Sequence, residues 1–269
     1  MSKNKINGQI KESSEASPAR DLSGVLSNEK AGVDLNCDMG EGTGNDALIM
    51  PYISSTNIAC GYHAGDVQTM YDTIELAVKY NVAVGAHVAY LDKNNFGRTE
   101  MNLPESEVYE LVQQQLIILN EIVDLFDIKL THVKPHGALY NQSAKNSELA
   151  KTIASAVKDF DPQLILFGLS GSYSIREAAL LGLKTASEVF ADRTYQDDGS
   201  LTARSQLNAM IEDAGKAVKQ VLQMIKESTV TTLSGKTIPI IAETICIHGD
   251  GKHAVEFAKA IYDAFYKKE

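Results

Sequence analysis

From Val33 onward, short apolar runs rich in β-branched residues alternate with longer stretches of helical period. Seven runs read as strands: 33–37, 53–59, 82–87, 129–134, 163–168, 184–190 and 243–248. Between them the spacing predicts helices over 66–80, 104–127, 145–159, 172–182, 206–227 and 252–267. The clearest is 104–127, where Val108, Leu111, Val112, Gln115, Leu116, Leu119, Ile122, Val123 and Phe126 fall on one face behind Pro104 in the first turn. The stretch TVTTLSGKTIPII (229–241) breaks this rhythm and reads as an inserted hairpin turning at Ser234-Gly235. Alternation of this kind builds an α/β fold on parallel strands, either closed into a barrel or open and doubly wound. A dinucleotide fold would place G-x-G-x-x-G in the first βα turn. The chain has Asp38-Met39-Gly40-Glu41-Gly42-Thr43-Gly44 instead, with carboxylates where a pyrophosphate would lie.

Composition narrows the function classes. Apolar residues make up 44% of the 269 and charged residues 22%, the balance of a globular chain. With no internal repeat and no linker composition after residue 32, a single domain over 33–269 is expected behind a flexible extension at 1–32, which is rich in Ser, Lys and Glu without periodicity. A net charge of −10 without a basic cluster argues against nucleic acid as a partner. No run has the length of a signal peptide or a membrane span, so no membrane partner is expected. Cys37, Cys60 and Cys246 form neither a disulfide framework nor a zinc ribbon, which fits a reducing, cytoplasmic setting.

Chemistry concentrates where the strands end, the place where parallel barrels carry their sites. The first strand ends in Asn36 and Asp38 with Glu41 beyond; the second offers Asn57, then His63 and Asp66; the third ends in His87. The fourth gives His132, Lys134 and His136, the sixth Glu188, Asp192 and Arg193, the last His248 and Asp250. Five of six histidines fall at such ends, and only His253 lies in a helical pattern. Period two puts His132 with Lys134, and Asn36 with Asp38, on common faces, while Pro135 ends its strand and presents His136 from a turn. Plainer readings stand beside these. Asp66 and Asp250 suit helix N-caps, the glycines suit tight turns, Asn57 suits a backbone partner, and Glu188, Asp192 and Arg193 suit a structural ion pair. Cys60 reads as a buried, inert thiol. Gly235-Lys236-Thr237 lacks the earlier glycine of a phosphate loop, since Val230 stands in its place.

The segments DLNCDMGEG, NIACGYHAGD, VGAHVAYLDKNNFGR, HVKPHGALYN, EVFADRTY and ICIHGD, in this order, resemble the LamB/YcsF lactam-utilisation family over residues 33 to about 265. The resemblance implies a distorted seven-stranded β/α (TIM-like) barrel of the glycoside hydrolase/deacetylase type. It further implies the work of the A subunit of a 5-oxoprolinase: ATP-dependent opening of 5-oxo-L-proline to L-glutamate with partner B and C subunits, ATP being bound through the assembled complex. Self-association into a homo-oligomer is compatible with this. Family members usually read GAHPSYPD followed by GFGRR. Here Val88, Leu91, Asn95 and Thr99 stand at those positions, so Arg98 remains and the second arginine is lost.

The resulting expectations are specific. Lys134 stabilises developing negative charge, His136 or His63 acts as general base, and Asp38 or Glu41 orients it or takes the amide proton. Asn36, Asn57, His87, Arg98, Tyr140, Glu188, Asp192, Arg193, His248 and Asp250 form the substrate-binding set. Should a divalent metal bind, Asp38, His63 and His132 are its expected ligands. Two competing readings are a stand-alone metal-dependent amide hydrolase or deacetylase, and a non-catalytic binding or scaffolding subunit.

Overall fold

A computed structural model describes residues 33–251 and 253–266; the extension expected at 1–32 lies outside them. Seven parallel strands close a barrel: β1 (Asp34–Met39), β2 (Ser55–Ala59), β3 (Ala83–Val88), β4 (Leu130–Pro135), β5 (Ile165–Leu169), β6 (Lys184–Phe190) and β9 (Thr244–His248). Closure is made by β9, which pairs with β6 on one side and β1 on the other, so none of the seven is left as an edge. Hydrophobic periodicity cannot distinguish this from an open sheet, because both bury parallel strands under helices. The strands β7 (Thr229–Thr231) and β8 (Thr237–Pro239) form the separate antiparallel hairpin, as its turn residues suggest.

Eight α-helices are described: α1 (Asp46–Ile49), α2 (Val67–Tyr80), α3 (Glu105–Asp124), α4 (Gly137–Lys145), α5 (Ser147–Phe160), α6 (Tyr173–Leu180), α7 (Ala214–Glu227) and α8 (Ala254–Tyr266). The buried stripe of α3 is the one the spacing marks, Val108 through Val123. Asp66 caps α2, accepting from the Thr69 N–H at 2.8 Å, so its plainer reading holds. The helix expected at 206–227 begins only at Ala214. Asp213 accepts from the Lys216 N–H as its cap, and upstream Asn208 is left-handed and Met210 pairs with Arg193 in an isolated antiparallel bridge. Residues 206–213 therefore form a loop held against Asp192 and Arg193 after β6, with Leu207 exposed. Helix α4, directly after Pro135, is absent from the periodicity reading, as is the short α1.

The barrel interior is unusually polar. Towards its base, Ala83, Ile165, Phe167 and Ala186 form a small apolar cluster, and beside it the buried Asp34 carboxylate accepts from Ser54, Ser55 and Thr244 hydroxyls. Higher up, His132 stacks on Phe167 at 4.2 Å. Room for that imidazole comes from Gly85 on the neighbouring strand: a Cβ there would lie 2.1 to 2.4 Å from its ring atoms. Gly85→Ala is therefore expected to lower unfolding free energy by at least about 1–3 kcal/mol, as overpacking does. An unchanged midpoint in denaturant unfolding would contradict this packing argument.

Candidate active site

A cavity of about 280 Å³ opens at the C-terminal end of the strands, and Lys134 lies on its wall. The side chain projects inward from β4 and is 2% exposed. Its Nζ lies 2.8 Å from Asp38 Oδ1 of β1 and 2.8 Å from Glu188 Oε1 of β6, with Cys246 Sγ at 3.1 Å. Burial alone would lower the ammonium pKa, but the two carboxylates outweigh it and hold the group charged well above its ordinary range. Beneath the pair runs an ordered relay. His132 Nε2 donates to Asn57 Oδ1, Asn57 Nδ2 donates to Asn36 Oδ1 and Asp38 Oδ1, and Asn36 Nδ2 donates to Glu188 and Thr244. Asn36, Asn57 and Glu188 are completely buried below the cavity, where they position Lys134 and Asp38. His132 belongs to this relay. It does not converge with Asp38 and His63, so the expected metal-ligand trio is not assembled.

The other imidazoles gather elsewhere. His87 ends β3, His63 follows β2 in a loop, and His136 is the N-cap residue of α4 with its side chain free of any capping bond. His63 stacks on His136 at 3.8 Å, and Phe96 meets both edge-on. The loop carrying Phe96 reaches this close only because residue 97 is glycine: with φ at +65°, a Cβ there would lie 2.8 Å from His63 and 2.9 Å from His136. Glu41, carried on a turn of left-handed glycines, completes the cluster, 3.3 Å from His63 Nε2. Asp38 and Glu41 are pushed apart in acidity. Burial raises both, yet His87 and Lys134 hold Asp38 well below the usual range, whereas Glu41 stays well above it, with Asp38 and Asp250 adding to burial.

On the opposite wall, His248 Nδ1 lies 2.9 Å from both oxygens of Asp192, while Nε2 has no hydrogen bond among the described residues. Burial raises Asp192, but His248 and then Arg193 bring it below its ordinary value, so it stays ionised. Arg193 is 6% exposed, donates from one terminal nitrogen to Thr202 O, and leaves its buried Nε without a partner among the described residues. Burial and the nearby Arg204 lower its guanidinium to about 10. Tyr140 also lines the cavity, and its buried hydroxyl has no hydrogen bond among the described residues. Arg98 and Asp250, by contrast, pair at 2.8 Å on the rim. Among residues that strand-end reasoning passed over, Cys246 sits two positions before His248, and Phe190 two positions after Glu188, so period two could have found both. The Phe96 carbonyl and Arg204 have no local signal. Cys60 is buried away from the cavity, and burial pushes its thiol up to about 12.

His132 provides a pH test with a definite sign. Burial, then Lys134 and His87, lower its pKa to about 3. The unfolded chain takes up this proton below about 6.5, whereas the folded chain resists it until about 3, so stability present above 6.5 is lost as pH falls between those values. Glu41, raised in the fold, contributes with the opposite sign, so the comparison must be differential. From pH 7 to 5, wild type should lose about 2 kcal/mol more than His132→Gln, which retains a donor for Asn57. Equal losses in urea unfolding at the two pH values would refute the assignment.

The comparisons with known proteins concern the family and the fold. The sequence pattern of the LamB/YcsF family matches residues 33–269. Two Staphylococcus aureus proteins, from strains Newman and COL and each named as the A subunit of 5-oxoprolinase, are 49% identical over 241 residues, covering 88% of this chain and 96% of theirs. The crystal structure of a lactam utilization protein from Thermus thermophilus superposes with a TM-score of 0.81 at 40% identity, covering 87% of this chain and 95% of that one. With its seven-stranded barrel and its polar strand ends, the chain belongs to the LamB/YcsF family.

Proposed function

We propose that this chain is the A subunit of an ATP-dependent 5-oxoprolinase, opening 5-oxo-L-proline to L-glutamate together with the B and C subunits in the cytoplasm. The observation that carries the reading is the fixed, buried Lys134 ammonium at the cavity wall, supported by the names of the relatives 49% identical to this chain. An unstrained lactam resists water because amide resonance must be lost. Transfer of a phosphoryl group from ATP to the amide oxygen removes that obstacle: the ring carbon becomes electrophilic, a first water adds to it, the C–N bond opens as nitrogen takes a proton, and a second water hydrolyses the resulting acyl phosphate to the glutamate carboxylate and phosphate. Lys134, preorganised by Asp38 and Glu188, faces the charge that develops on the oxygen.

His248 is the imidazole best arranged as general base. Asp192 fixes its Nδ1 hydrogen and leaves Nε2 for water. His63 and His136 are enclosed with His87 and Glu41, which favours His248 over them for that role. Arg193, with its unused Nε, and Arg204 beside it suit the carboxylate of 5-oxoproline. They offer guanidinium groups in a fold where Thr99 replaces the second arginine of the usual family motif. A nucleotide site within the chain is not supported at the hairpin, since exposed Lys236 is paired with Asp197 at 2.7 Å. In this reading ATP is held with help from the partners.

Glutamate release by the purified chain, with and without the B and C subunits and with and without ATP, tests the reading. Turnover should require all of them. Activity needing neither ATP nor partners and lost to a chelator would instead mean a stand-alone metal hydrolase. In the assembled enzyme Lys134→Met should abolish turnover, and near-normal rates would remove Lys134 from the mechanism. Because the variant leaves Asp38 and Glu188 uncompensated at a cost of about 3–5 kcal/mol, circular dichroism must first show that it is folded.

A further inference from the structure

The hydrogen bonds around His87 and His136 create an imbalance that two neutral imidazoles do not resolve. His87 Nδ1 lies 3.0 Å from the Lys134 carbonyl and His136 Nε2 lies 2.9 Å from the Phe96 carbonyl. A carbonyl only accepts, so each of these nitrogens carries the ring hydrogen. The remaining nitrogens, His87 Nε2 and His136 Nδ1, then face each other as lone pairs 2.8 Å apart. Two neutral imidazoles so locked repel unless something positive lies between or beside them.

The surroundings supply further donors. Glu41 Oε1 is 3.5 Å from His136 Nδ1 and 3.9 Å from His87 Nε2. These separations leave one point about 2.0 Å from all three atoms, the bond length of a divalent metal to imidazole nitrogen or carboxylate oxygen. Four groups, these three and His63, have donor atoms within 4.8 Å of one another. A second group, Asp38, Cys246 and His248, also meets that distance, but there the Lys134 ammonium already supplies the positive charge. The carbonyl locks on His87 and His136 are the outer-shell bonds that fix the tautomer of metal-bound histidine.

We propose that Glu41, His87 and His136 bind a divalent first-row transition-metal ion, with His63 closing one side. Two imidazoles and one carboxylate favour zinc, manganese, iron or cobalt over magnesium or calcium. When bound, the ion would supply Lewis acidity beside the cavity. Within this chain, His87 and His136 line that cavity and Asp38 Oδ2 lies 3.3 Å from His87 Nε2. The proposal is independent of the substrate reading, because it concerns binding by the chain itself.

The test is metal content. The full chain, stripped with chelator, is equilibrated separately with Zn²⁺, Mn²⁺ and Co²⁺, dialysed, and assayed by mass spectrometry for metal per chain, with the visible spectrum recorded for Co²⁺. About one equivalent of at least one ion is expected. Glu41→Gln, near in shape, and His136→Gln should each weaken binding by roughly 100-fold or more, at least the loss that removal of an outer-shell partner produces. His253→Ala, remote from the cluster, should bind as wild type does. Less than about a tenth of an equivalent of all three ions in folded wild type would overturn the proposal and assign the charge to a shared proton. Unchanged affinity in both cluster variants would overturn it as well.

Discussion

The ammonium of Lys134 between Asp38 and Glu188 is the interaction around which the rest of the site is organised. It ties β4 to β1 and β6 across the barrel, and both carboxylates are themselves held from below, Asp38 by Asn57 and Glu188 by Asn36. A buried ion pair of this kind is poor evidence for stability, since desolvation offsets most of its Coulombic gain. Its consequence is positional. With its two counter-charges anchored on different strands, the cation has one place to be, and a charge fixed in advance of reaction is what transition-state stabilisation requires.

The imidazoles divide into three environments because burial and partners differ, although all sit near strand ends. His132 is sealed in the relay and stacked on Phe167, so it is kept neutral. His248 has one nitrogen on Asp192 and the other turned to the cavity, which suits proton transfer there. His63, His87 and His136 pack against one another, with burial lowering His63 and His136 well below the ordinary histidine range. Three such groups packed beside Glu41 leave less freedom for base catalysis. The fold thus separates functions that the residue type alone would have merged.

How much of this was legible in the chain follows from the range of each signal. The strands, the long helix α3, the hairpin and the crowding of ionisable residues at strand ends arise from local periodicity, which the sequence carries directly. Helix α7 begins later than its apolar spacing suggests, because Met210 and Ile211 are captured by Arg193 and Asp192 of the preceding loop. The family motifs supplied the identity of the barrel, where periodicity alone left closed and open sheets equal.

By itself the sequence determined which side chains stand at the ends of the strands, and on which face, because a strand's period is two and its apolar body must be buried. Only the tertiary structure decided who meets whom. Closure of β9 onto β1 and β6 brought Glu188 to Asn36 and His248 to the cavity, and the Phe96–Gly97 turn locked His136. Partners 40 to 96 residues apart in sequence decide protonation and tautomer, and those depend on distance in space.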